Sequence, residues 1–79
     1  MLQYKVKPET HAKAIELGTQ LAKVHDLLCD FWNDEYNSAV ETQDDALFSF
    51  CAYIDEARVS TGDAIEYIET ATKEFEVIE

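Results

Sequence analysis

Glycine and proline are nearly missing from this chain, with 2 Gly and 1 Pro in 79 residues. Sandwiches and barrels spend such residues on frequent turns, so their scarcity argues against those architectures and for long helices. Basic residues are few: 6 Lys and Arg stand against 17 Asp and Glu, for a net charge of −11. Lys and Arg carry the direct grip on nucleic acid and the attraction to anionic membranes, so neither is expected here. Long apolar runs are lacking as well. None approaches the roughly 20 residues that span a bilayer, and the opening MLQYKVKPET has no apolar segment of the signal-peptide type. A cytoplasmic protein is the expectation. The two cysteines, Cys29 and Cys51, make neither a CxxC nor a zinc spacing, and read as reduced thiols in a helical core.

Length bounds the rest. One domain over 1–79 buries roughly 60–65% of its unfolded surface, with little room for an enclosed substrate cavity. No catalytic or cofactor motif is present, so binding without catalysis, cofactor or metal is expected. The hydrophobic fraction of 47%, with 11% aromatic, is too high for a disordered acidic tail.

Residues 2–6 alternate apolar and polar, which suits a short strand or an extended arm; with no partner strand in view, an arm over 1–7 lying on the helices is expected. Pro8 and Glu9 open a first helix, predicted over about 8–36. Its apolar stripe is Leu17, Leu21, Val24, Leu28 and Phe31, and a second row of Gly18, His25, Cys29, Trp32 and Tyr36 lies beside it. Together they form a wide arc, as suits a helix packed against two neighbours. Ser38–Glu41 and Thr42–Asp45 are competing capping signatures, and a second helix is predicted over about 43–59. It carries Leu47, Phe50, Cys51, Ile54 and Ala57 on one side, with Phe48 off that arc. Ser60-Thr61-Gly62-Asp63 reads as a break and a new cap, starting a third helix over about 62–76. That helix turns Ala64, Ile65, Ile68, Ala71, Thr72 and Phe75 inward and Tyr67 outward. The expected fold is all-α: a small antiparallel three-helix bundle with a short extended N-terminal arm.

Charge is unevenly spread. Residues 1–24 hold four lysines against two glutamates, a net of +2, whereas residues 25–79 hold fifteen acids against Arg58 and Lys73, a net of −13. Asp26, Asp30 and Asp34 recur every four residues, at roughly 6 Å steps along a helix. Like charges so placed repel one another. One reading is a solvated surface that confers solubility. The sharper reading is imitation of a nucleic-acid backbone, offered to a protein whose groove is basic. Duplex DNA carries one phosphate per ~1.7 Å, about seven over the ~12 Å spanned by the three aspartates. The imitation therefore needs acids of the later helices on the same side. Steering toward a basic partner follows from charge alone. Asp26, Asp30, Asp34 and Glu35 are the candidate partner contacts, with Trp32 and Tyr36 as aromatic anchors.

A small, strongly acidic helical domain with Trp32, Tyr36, Phe48 and Tyr67 among its carboxylates resembles the phage-encoded inhibitors of host defence, the anti-CRISPR and anti-restriction proteins. The resemblance lies in size, charge and style along the whole chain and carries over no functional residue. It implies a protein of the host-cell cytoplasm that binds a CRISPR effector or nuclease and blocks its nucleic-acid site or its assembly. The net-positive first third departs from the uniformly acidic members. Two alternatives stand beside it: an assembly module whose apolar arc on helix 1 pairs with another copy or a partner helix, and an antitoxin- or immunity-type neutraliser of a basic toxin. For metal chemistry, His25 and Cys29 lie four apart but supply only half of the four ligands a structural zinc wants. Neither paired Glu-x-x-His motifs nor an EF-hand glycine is present.

Overall fold

The computed structural model describes residues 5–78. Pro8, with its φ pre-set and no N–H to satisfy, opens α1 (Pro8–Thr42), and Lys7 precedes it in extended backbone without a side-chain cap. The helix ends at Gln43, whose φ of 53° and ψ of 42° place it in the left-handed region. There its N–H bonds back to the Ala39 carbonyl. Asp44 then caps α2 (Asp45–Glu74), its Oδ1 accepting from Leu47 N at 3.1 Å. α2 thus begins beside the second of the two expected signatures, but Thr42 is not its cap: the Thr42 hydroxyl donates to the Ser38 carbonyl at 2.8 Å and, like Ser38–Glu41, Thr42 stays inside α1.

The three-helix bundle is therefore corrected to a two-helix hairpin, with helices over 8–42 and 45–74 in place of 8–36, 43–59 and 62–76. No break forms at Ser60-Thr61-Gly62-Asp63. The Thr61 hydroxyl donates to the Ala57 carbonyl one turn back at 2.7 Å, so it rides on the helix instead of capping a new one. Gly62 keeps a negative φ. A Cβ there would lie 3.5 Å from His25 Nε2, which makes this glycine a contact point between helices.

The two helices pack antiparallel along one seam. On α1 the half-buried or buried positions that form it are His11, Ala14, Gly18, Leu21, His25, Leu28, Trp32, Glu35 and Ala39, with Cys29 and Ser38 half-buried at its sides. On α2 they include Leu47, Cys51, Ile54, Arg58, Thr61, Ile65, Ile68, Thr72 and Phe75. Both series alternate steps of three and four without interruption, the heptad pattern of a coiled coil. The expected stripe is thus turned by about 50° around α1. Leu21 and Leu28 meet α2, but Leu17, Val24 and Phe31 stay exposed, and Gly18, His25 and Trp32 take their places in the seam. The reason is that an arc wide enough for two neighbours has only one within the chain.

At the open end of the hairpin, His11 Nε2 donates to the Thr72 carbonyl across 3.0 Å. Beyond it, β1 (Lys5–Val6) pairs in parallel with β2 (Glu76–Val77), Lys5 opposite Glu76 and Val6 opposite Val77. Ile78 N adds a bond to Val6 O at 2.8 Å. The part of the expected arm that is described is thus a strand with a partner; residues 1–4 lie outside the described residues. The result is a rod of 58 × 21 × 12 Å with a radius of gyration of 17.7 Å, against about 11.6 Å for a compact chain of this length.

Candidate interaction surface

A two-helix rod has no interior, and here the cost is visible. Among the described residues only Ala39 and Cys51 are buried. Thirteen large apolar side chains of the described residues are exposed, and helical geometry sorts many of them onto the two flanks of the seam.

The first flank takes the next heptad position on each helix: Thr10, Leu17, Val24, Phe31 and Ser38 on α1, and Phe50, Ala57, Ala64 and Ala71 on α2. Phe31 and Phe50 meet edge-on at 6.3 Å between centroids, which shows that the two rows belong to one side. No residue in either row carries a charge. Near the open end this flank sinks into an apolar cavity of about 220 Å³, lined by Val6, Thr10, His11, Ala14, Ala71, Thr72 and Phe75. Leu27, Tyr53 and Tyr67 stand at the rim, at 67%, 78% and 77% exposure.

The opposite, polar flank is aromatic and charged toward the turn, and toward the open end it holds a groove of about 330 Å³ lined by Ile15, Ala22, Ile65, Ile68 and Glu69 among others. Tyr36 stacks on Trp32 at 4.8 Å and meets the Phe48 edge at 5.8 Å, so Phe48, off the apolar arc of α2, touches α1 from the side. The Arg58 guanidinium lies over the Trp32 ring at 5.1 Å and pairs with Asp55, Nε donating to Oδ1 at 3.0 Å. That Asp55 carboxylate, more than any other neighbour, holds the Arg58 guanidinium above its ordinary pKa. Cys29 Sγ lies 3.8 Å from His25 Nδ1. Both cysteines are unbridged, Cys51 buried and Cys29 half-buried. Among the described residues, no group of three His, Cys, Asp or Glu could hold a metal ion.

The six expected contact residues do not share one face. Asp26, Asp30 and Asp34 are exposed and turned away from α2, drifting around the back of α1 by about 40° per step. Glu35 sits half-buried in the seam. Trp32 is also in the seam, anchored by Arg58, while Tyr36 lies on the polar flank. Trp32 and Tyr36 are thus brought together, and the three aspartates form a separate group. Acids of α2 form further groups: Glu56, Asp63 and Glu66 on its own outer side, which faces the opposite way from the three aspartates, and Asp55 and Glu69 on the polar flank. Sequence reasoning had Leu17, Val24 and Phe31 in the apolar arc offered for assembly but missed the matching row of α2, whose signal was the seven-residue spacing of Phe50, Ala57, Ala64 and Ala71.

No protein-family model, curated protein or solved structure matches this chain. No helix among the described residues is long and apolar enough to cross a membrane.

Proposed function

We propose that this chain is a non-enzymatic protein-binding module of the cytoplasm, and that it works by assembly: the uncharged flank of the hairpin is covered by another helical surface. The observation that carries this reading is that, among the described residues, only Ala39 and Cys51 are buried while thirteen large apolar side chains are exposed. A chain with so little interior derives its stability from what it binds, because hydrophobic burial is the dominant favourable term in folding. The test is urea unfolding of the chain at a concentration where it is monomeric. The expected result is a marginal monomer that binds an apolar dye. A dye-silent monomer that unfolds cooperatively with about 5 kcal/mol or more of stability overturns the reading.

A second reading is favoured by a different observation. Asp26, Asp30 and Asp34 are all exposed, and among the described residues the ion pair that forms is Arg58–Asp55, so these aspartates keep their charge uncompensated. They would steer the module to a basic nucleic-acid-handling protein, such as a CRISPR effector, nuclease or toxin, which it inhibits by occupying the basic site. Direct nucleic-acid binding forms no part of it. Reversing Asp30 and Asp34 to Lys should slow association with such a partner and flatten its salt dependence; unchanged association kinetics would sink this reading.

A further inference from the structure

The apolar flank is complementary to itself, and we infer that its occupant is a second copy of this chain, laid antiparallel about a two-fold axis passing near Leu27 and Ser60. The inference rests on the assembly reading and adds the partner and the register.

Area is the first argument. The accessible surface is 6247 Å² for a 9.0 kDa chain, whereas a compact monomer of that mass exposes about 4,900 Å². The excess is about 1,400 Å², and even half of it approaches the ~800 Å² per partner of a standard stable interface. The flank meant to bury it holds no charge, so two chains of −11 each can meet there without opposing carboxylates.

Register is the second. Contacts across the seam, such as Gly18 with Ile68 and His25 with Gly62, set Leu27 on α1 level with about Ser60 on α2, at helical rise. An antiparallel copy centred on Leu27 brings Lys13 level with the copy's Glu41, and Leu27 level with itself. The same axis at Ser60 sets Tyr53 against the copy's Tyr67, and Phe50 against its Ala71. Both helices thus call for one axis, and the axis is the one their own packing provides. Size is matched as well. Phe50, 51% exposed, arrives over the apolar cavity of about 220 Å³ that Thr10, Ala14, Ala71 and Phe75 line at the open end. A parallel copy would instead set Phe31 against Phe50 at one end and Thr10 against Ala71 at the other, crowding the first and leaving the second empty.

Sedimentation equilibrium of the full chain at micromolar concentration and high salt gives the association state. We expect a dimer. Phe50→Ala should raise the dissociation constant about thirtyfold, about 1 kcal/mol at each of its two symmetry-related contacts, with far-UV dichroism reporting that helix is retained. In low salt, Lys13→Glu should weaken the dimer about fivefold, since it sets like charges together at both symmetry-related ends. Lys13→Glu with Glu41→Lys should restore it. These two residues are 28 positions apart on one helix, about 42 Å, so the rescue reads an intermolecular contact. In a Cys29→Ser background, Leu27→Cys should form a disulfide-linked dimer and Thr19→Cys, on the back of α1, should not. A dimer without rescue and without the Leu27 crosslink overturns the antiparallel register and leaves the assembly reading standing. A marginal, dye-binding monomer at every concentration overturns self-association and points to a foreign helix. A stable, dye-silent monomer overturns both.

Discussion

Gly62 offers the sharpest test of the architecture, because alanine there has opposite consequences in the two folds. In the hairpin, Gly62 lies in the middle of α2 with a negative φ. Glycine at such a position is less favourable than alanine by about 0.8–1 kcal/mol, through the backbone freedom it retains when unfolded. The added methyl would stand 3.5 Å from His25 Nε2 and 3.7 Å from Cδ2, ordinary van der Waals contact, so nothing is lost in packing. Gly62→Ala should therefore stabilise the chain by about 1 kcal/mol and raise the melting temperature by roughly 4–8 °C. Gly18→Ala provides the internal contrast. Its Cβ would sit 3.3 Å from Ile68 Cγ2, tight enough that Ile68 must give way, and the same helix-propensity gain is offset by crowding. The assay is thermal unfolding followed by far-UV dichroism, with all variants at one concentration so that association does not enter the comparison. A drop in melting temperature for Gly62→Ala would refute the continuous helix and return residues 60–63 to a turn.

Other substitutions address single features. Gln43→Gly should stabilise by about 0.5–1 kcal/mol, since glycine carries no penalty in the left-handed conformation that Gln43 adopts; urea unfolding measures it. Asp44→Ala removes the side-chain acceptor for Leu47 N and should cost about 1 kcal/mol in the same assay. Arg58→Met keeps an apolar stem but takes the cation from the Trp32 face. As Trp32 is the sole tryptophan, its emission should shift to the red, and an unchanged spectrum would show that the guanidinium does not shield the ring.

Helix character and the start at Pro8 were legible, because each depends on local chemistry: a fixed φ and a missing N–H. The turn was expected too early, after about residue 36, and the Asp44 cap of α2 was not singled out. The false break at 60–63 came from the same local reasoning. Serine, threonine and glycine favour caps, yet the heptad series Ile54, Arg58, Thr61, Ile65, Ile68 runs straight through them, and seam packing outweighs a weak propensity. The site was less legible. Asp26, Asp30 and Asp34 are as exposed as their spacing implies, but an acidic residue's neighbours depend on which arc faces α2. That choice was hidden by an apolar surface broad enough for two partners. Glu35 shows the difficulty best: beside Asp34 in sequence, it falls in the seam because one residue is about 100° of helix.

The small pairing of Lys5–Val6 with Glu76–Val77 has a mechanical meaning. Two antiparallel helices pulled apart at their open end would peel one turn at a time. With parallel strands across that end, tension applied through the two termini drags the strands lengthwise past each other, so their hydrogen bonds are loaded together. The rod must slip this latch before it can be unzipped, and a force trace should show that event ahead of any helix separation.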